Sequence, residues 1–314
     1  MQGNLRPFPF PLALLAAILL LPGPSVFAAD ADVLIRNARV VDGTGSPWFV
    51  SDVAISGGRI STVGRNLDIE ADQVIDAAGR VLTPGFIDVH THVESSGSRE
   101  GLMNLPRADN YLLDGVTTIV TGNCGGSEID VGGWAANLEN LGINVATLIG
   151  HNAIRREVVG LDDRAPTADE MVQMKALVDK GMRDGAVGFS TGLLYVPGTY
   201  ADTAEVIALA EVASSYGGVY ASHIREQGAM LHDSISEAVT IGREAKMPVQ
   251  ISHLKVKGRT RWGTIGSAIE LIESKAIKVD DMITHRLPLK DIARGFQLVL
   301  DGRESIKVII KPNL

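Results

Sequence analysis

Pro84-Gly85-Phe86-Ile87-Asp88-Val89-His90-Thr91-His92 is a short apolar run that ends in two histidines one residue apart. In a strand, residues i and i+2 point to the same side. At a strand end, both imidazoles can then reach one metal ion. If this strand is the first of a parallel barrel, its C-terminal end is where catalytic groups collect. The plainer alternative is a pair of polar rim histidines satisfied by their neighbours.

The pattern recurs downstream. Short apolar runs at Phe86–Val89, Thr117–Val120, Val145–Ile149, Ala186–Phe189, Val219–Ala221 and Val249–Ile251 each end in a polar or glycine-rich corner. They follow one another at roughly 27 to 39 residues, enough for a strand, a loop, a helix and a return loop. This is the rhythm of parallel β/α units. Helices are legible between them. Thr167-Ala168-Asp169-Glu170 forms a capping box, with Met171, Met174, Leu177 and Val178 on one face behind it. Asp202 can cap a helix reaching Val212, and Ile235 to Ala245 reads as another. Their apolar stripes read as core. Six units are visible or begun, against the eight of a closed barrel.

Upstream, residues 32 to 83 read as a small β unit, with turns at Asp42-Gly43-Thr44-Gly45 and Gly57-Gly58 and no catalytic cluster. Before it, Arg6, the apolar run Pro11 to Leu21 and the small-x-small pattern Val26-Phe27-Ala28 read as a secretory signal peptide over 1–28. The run is short for a membrane span, so no stable span is expected after cleavage. Export places the protein outside the cell or in the periplasm. The single cysteine, Cys124, allows no intrachain disulfide, and its thiol then needs burial or a metal. A net charge of −8 without a basic block argues against a nucleic-acid partner.

The corners carry the chemistry. His90, His92, Cys124, His223 and His253 all fall at predicted strand ends on one rim. Tyr220-Ala221-Ser222-His223-Ile224-Arg225 and Gln250-Ile251-Ser252-His253-Leu254-Lys255 share the pattern apolar-Ser-His-apolar-basic. Singly, each residue could be structural. Together, imidazoles and a thiol suit zinc, whereas calcium or magnesium would want carboxylates. Zinc acidifies bound water and polarises a carbonyl, which points to hydrolysis. His151 and Tyr195 follow strand-end corners and either line the substrate pocket or are structural. Lys255 and Arg225 could hold an anionic substrate group or sit in surface salt bridges. No carboxylate stands out as proton carrier, and Asp88 reads as structural.

These segments resemble the amidohydrolase superfamily, and within it the N-acyl-D-amino-acid deacylases. The likeness covers about residues 32 to 273. It rests on the segment Pro84 to His92 and on Gly122-Asn123-Cys124-Gly125, Gly150-His151-Asn152 and Ser190-Thr191-Gly192-Leu193-Leu194-Tyr195. It also rests on Ser222-His223-Ile224-Arg225-Glu226-Gln227-Gly228 and Ile251-Ser252-His253-Leu254-Lys255. The histidine pair marks only the superfamily; the cysteine motif with Ser-His-Ile-Arg-Glu narrows it. The resemblance implies an α/β fold, a (β/α)8 TIM-like metal-dependent hydrolase barrel over 86–273, cut short after about six units. A small N-terminal β-sandwich domain over 29–85 would accompany it. It implies one tight zinc site at Cys124, His223 and His253, and a second, weaker one involving His90 and His92. Lys255, with Tyr195, would meet the carboxylate of a small-molecule N-acyl-D-amino acid. The acid/base would be an aspartate at the end of strand eight, which this sequence does not display, so no catalytic residue is assigned.

Residues 274–314 read differently. Lys275 to Leu289 and Ile306 to Pro312 resemble the C-terminal end of medium-chain zinc-dependent alcohol or polyol dehydrogenases, in a strand-helix-strand pattern. No Gly-x-Gly-x-x-Gly fingerprint follows a strand, so no nicotinamide site is expected. Three readings stand: a zinc-dependent deacylase of N-acyl-D-amino acids, a related hydrolase of cyclic amides or of N-acyl-D-glutamate or D-aspartate, and a zinc-binding remnant without turnover. The sequence leaves the oligomeric state open.

Overall fold

The computed structural model describes residues 30–94, 101–259, 262–267, 269, 285–288 and 308–311. The segment read as a signal peptide and most of the dehydrogenase-like tail lie outside them. The chain divides between Pro84 and Gly85 into two units.

The first unit is built on β1 (Ala31–Val40), which pairs antiparallel with β2 (Phe49–Ser56). β3 (Arg59–Gly64) adds antiparallel to β2. Gly57 and Gly58 join β2 and β3 with φ of 57° and 72°. A two-residue hairpin needs positive φ at both positions, which glycine adopts freely. On its other edge, β1 pairs parallel with β4 (Ala71–Asp76) and then with β5 (Val81–Leu82). A register shift between Ile35 and Ala38 bends β1. Asn37 there donates its backbone N–H to Asp52 Oδ1 at 2.9 Å and its amide to Asp76 Oδ1 at 3.0 Å. One long strand thus serves both neighbours, and the described residues form a single five-stranded sheet. The second layer of the expected sandwich is not among them.

The second unit carries the expected parallel strands: β6 (Phe86–Asp88), β7 (Val116–Thr121), β8 (Asn144–Thr147), β9 (Ile149–Gly150), β10 (Gly188–Gly192), β11 (Val219–His223) and β12 (Val249–Ile251). They pair in the orders β6-β7-β8 and β9-β10-β11-β12. Leu148 alone separates β8 from β9. Its N–H donates to Thr121 on the β7 side, while Val187 N–H reaches Thr147 on the β10 side. The segment 144–150 therefore acts as one strand with a kink, and the order is that of six consecutive β/α units.

The helices between the strands are α1 (Asp109–Leu113), α2 (Val131–Ala136), α3 (His151–Val158), α4 (Ala168–Arg183), α5 (Thr203–Ser214) and α6 (Leu231–Glu244). The capping box of α4 forms as read, with Glu170 N–H on Thr167 and Thr167 N–H on the Glu170 carboxylate. Met174 and Val178 are fully buried, and Met171 and Leu177 pack beside them. Asp202 caps α5 through Glu205 N–H at 2.7 Å. The start of α6 lies one turn earlier than the sequence suggests. The core against which these helices pack includes Ile149, Phe189 and Tyr220 from the strands. Among the described residues no helix is long and apolar enough to cross a membrane. In the tail, β13 (His285–Pro288) and β14 (Val308–Lys311) pair in parallel.

Candidate metal centre

The extended segment beyond β6 keeps its alternation. Thr91 and Val93 are buried, while His90 and His92 share the other side. Thr91 N–H and its hydroxyl both donate to Val120 O, and Val93 N–H donates to the Thr121 hydroxyl. The segment is thereby laid along the end of β7. Asp88 accepts the backbone N–H of His90 at 3.1 Å, the structural role expected of it.

Cys124 follows β7 in a tight loop. Asn123, fully buried, donates its amide to Val89 O and Val120 O. Ser190 accepts from Gly125 N–H and donates to Gly122 O. Cys124 itself has φ of 53°. That left-handed conformation is uncommon outside glycine and costs of order 1–3 kcal/mol. The bonds around it hold the loop so that the sulfur faces the rim. A side chain at Gly192 would stand 2.2 Å from the Cys124 carbonyl oxygen, so β10 approaches the loop only because glycine is there.

His223 is the last residue of β11, and His253 lies two residues past β12 with φ of 38°. The four imidazoles and the sulfur converge. Cys124 Sγ lies 3.6 Å from His90 Nε2, 3.4 Å from His223 Nδ1 and 3.8 Å from His253 Nε2. His92 completes a second group with His90 and Cys124, all ligand atoms lying within 4.8 Å of one another. Tetrahedral zinc with Zn–S near 2.3 Å and Zn–N near 2.05 Å separates sulfur from nitrogen by about 3.6 Å. The three sulfur–nitrogen distances bracket that value. The donor set fits zinc in chemistry and spacing, with Cys124 common to both groups.

Protonation divides the rim. Burial, then His253, pushes His223 down to about 4. Burial likewise lowers His90, with His92 next in effect, and lowers His253, with Lys255 next. These rings are held neutral, the form that binds metal. His92 goes the other way, to about 10, through its hydrogen bond with Cys124 and then with Glu94. A metal held by His90 and His92 takes the place of that proton.

Tyr195 stands edge-on to His223 with ring centroids 4.6 Å apart, and is half exposed. Lys255 Nζ lies 3.1 Å from His253 Nδ1. Both stand beside the metal cluster. A cavity of about 600 Å³ opens beside Cys124, lined by Ile129, Asn152, Arg156, Tyr195 and Val196 among others.

His151 does not line it. Its ring is fully buried, with Nε2 2.9 Å from Glu205 Oε1, and Arg155 Nη1 donates to Glu205 Oε2 at 2.7 Å. Of the two roles open to His151 the structure favours the structural one, because Glu205 holds Nε2 and the ring exposes no surface to a ligand. Arg225 is likewise committed, donating to both Glu237 oxygens and to Thr199 O and Ala201 O.

Two polar residues at the rim escape the sequence reading. Glu94 accepts from the Thr121 hydroxyl and from Gly122 N–H, with Oε1 3.8 Å from His92 Nδ1. Burial raises its carboxyl, but the hydrogen bonds from His92 and Thr121 outweigh this and hold it low. The signal was present, since Glu94 continues the alternation of His90 and His92. Gln227, buried, places its amide 3.2 Å from His253 Nδ1. Nothing in its spacing announces that contact.

Parallel β/α units that carry a histidine- and cysteine-lined metal rim define an amidohydrolase-type α/β protein. The family model described as "Amidohydrolase family" matches residues 73–302, and the chain belongs to that family. It is 34% identical over 284 residues to the D-aminoacylase of Alcaligenes xylosoxydans xylosoxydans, covering 79% of this chain and 56% of that one. A crystal structure of D-aminoacylase described as defining a novel subset of amidohydrolases superposes with a TM-score of 0.73 at 34% identity, over 78% of this chain and 56% of the other. The N-acyl-D-glutamate deacylase of Bordetella bronchiseptica, solved with zinc and a phosphonate mimic of the tetrahedral intermediate, gives 0.71 at 32% identity over the same shares. The chain spans about half the length of these relatives. The family match runs past the junction expected near Ser274, and the matches give no support to the dehydrogenase resemblance of the tail.

Proposed function

We propose that this chain carries the metal centre of a zinc-dependent hydrolase that cleaves the amide of N-acyl-D-amino acids, releasing a carboxylate and a D-amino acid. The observation that carries the reading is Cys124 Sγ set 3.4 to 3.8 Å from three imidazole nitrogens. The likeness to D-aminoacylase and to the zinc-bound N-acyl-D-glutamate deacylase supplies the substrate class. Cys124, His223 and His253 would hold the tight ion, and His90 and His92 with Cys124 the weaker one. When bound, zinc supplies a more acidic water and a polarised amide carbonyl.

The chain's own residues do the rest. Lys255 is a cation at the edge of the cluster, placed for the carboxylate of the substrate. Tyr195 offers a ring wall and a hydroxyl beside His223. The cavity next to Cys124 gives room for the acyl side. Export through residues 1–28 remains part of this proposal, tested by N-terminal sequencing of the exported protein.

A second reading is favoured by one observation. Among the described residues Glu94 is a carboxylate set against the histidine rim, with Oε2 accepting from both Thr121 and Gly122 and Oε1 3.8 Å from His92 Nδ1. A zinc-binding chain without turnover would look the same. Hydrolysis of N-acetyl-D-methionine and its L enantiomer by zinc-loaded protein separates the two. Turnover of the D form alone supports the deacylase; zinc without turnover supports the second reading.

A further inference from the structure

His253 faces Cys124 through Nε2. Its other nitrogen, Nδ1, has two side-chain nitrogens within hydrogen-bond distance, Gln227 Nε2 at 3.2 Å and Lys255 Nζ at 3.1 Å. A neutral imidazole has one N–H and one lone pair. If the lone pair on Nε2 goes to a metal, Nδ1 carries the hydrogen and needs an acceptor. The Lys255 ammonium has only hydrogens to give. Gln227 is different, because a half-turn of its amide puts the carbonyl oxygen where the nitrogen stands, within the same volume. Gln227 is only 4% exposed, so solvent cannot readily take its place. Its backbone carbonyl is anchored by Lys257 N–H at 2.7 Å, which fixes where the side chain starts.

We propose that Gln227 is a positioning residue of the metal centre: its side-chain carbonyl accepts the Nδ1–H of His253 and fixes the tautomer that presents Nε2 to the metal. The assignment has a second consequence. Lys255 then has no bond to Nδ1, and its ammonium keeps the His253 carbonyl oxygen at 3.4 Å with hydrogens to spare for an anion. Metal binding and the readiness of Lys255 for a substrate carboxylate are thereby coupled through one ring. This inference rests on the zinc reading of the cluster.

The test is zinc affinity of the full chain, measured by competition with a chromophoric chelator, for wild type, Gln227→Glu and Gln227→Met. Glutamate keeps the acceptor and loses the donor, while methionine fills the volume with neither. Gln227→Glu should match or exceed the wild-type affinity, and Gln227→Met should lose about 10- to 100-fold, the usual cost of removing such a partner. Equal losses in the two variants would overturn the inference, as would an unchanged Gln227→Met. Should Gln227→Met not fold, Gln227→Glu decides alone, because a tenfold loss there means the amide acts as a donor. Absence of zinc from folded wild type is a separate result, which removes the zinc reading itself and this inference with it.

Discussion

Cys124 Sγ and His223 Nδ1 lie 3.4 Å apart, although 99 residues separate them in sequence. β7 delivers one and β11 the other, and the parallel order of the strands brings both to one rim. Removing either ligand takes away a metal bond rather than a supporting contact. His223→Ala should therefore lower zinc affinity by more than the roughly 100-fold upper end for supporting partners. Chelator competition reads this directly, and an affinity within tenfold of wild type would contradict it.

The opposed shifts of His223 and His92 give the metal-stripped protein a stability profile with two limbs. His223 is held near 4, so the folded state refuses a proton that the unfolded chain takes up below about 6.5. Stability falls as pH drops from there toward 4. His92 is held near 10, so its contribution is complete below about 6.5 and is lost as pH rises toward 10. His223→Gln should flatten the acid limb relative to wild type, and His92→Gln the alkaline one. Urea midpoints across pH test this, and profiles parallel to wild type would count against the shifts.

The network of His151, Arg155 and Glu205 is a stability element. Arg155 and His151 are fully buried, and Glu205 pairs with Arg155 Nη1 through one oxygen and with His151 Nε2 through the other. Glu205→Ala leaves a buried guanidinium without its charge partner. A loss of about 3–5 kcal/mol is expected in denaturant unfolding. A loss under about 1 kcal/mol would mean that water or a neighbour replaces the carboxylate.

Gly192 sets the distance between β10 and the cysteine loop. Gly192→Ala places a methyl 2.2 Å from the Cys124 carbonyl, and the loop must move. A destabilisation of about 1–3 kcal/mol is expected, together with weaker zinc binding. Zinc affinity unchanged in this variant would show that the sulfur is positioned by other means.

Lys255→Met removes a cation that contacts His253. In the deacylase reading it should raise KM for N-acetyl-D-methionine more than it lowers kcat, because a carboxylate contact shared by ground and transition states is lost. A fall in kcat with KM unchanged would place Lys255 in the chemistry instead.

The strand ends were legible because each combines two signals: an apolar run of strand length and a polar residue at its close. That is why the sequence places His90, His92, Cys124, His223 and His253 on one rim. His151 too follows an apolar run, so the sequence leaves a pocket role and a structural one both open for it. Its fate depends on Glu205, 54 residues away, and no local pattern reveals that partner. For Arg225 the salt bridge, one of its two expected roles, is the one that forms, with Glu237. Gln227 was invisible because its role follows from hydrogen-bond accounting at His253, not from spacing. The left-handed backbone of Cys124 and His253 was also hidden, because tertiary hydrogen bonds impose it against residue preference.

The most direct test of the metal centre is zinc content of purified full-length protein, measured beside its Cys124→Ala variant, with hydrolysis of D and L N-acetyl-methionine in the same samples. Zinc bound by wild type and lost in Cys124→Ala, with turnover of the D substrate alone, is the predicted result. Folded wild-type protein that binds no zinc, or a Cys124→Ala variant that keeps all of it, would contradict the assignment of Cys124 as the shared ligand.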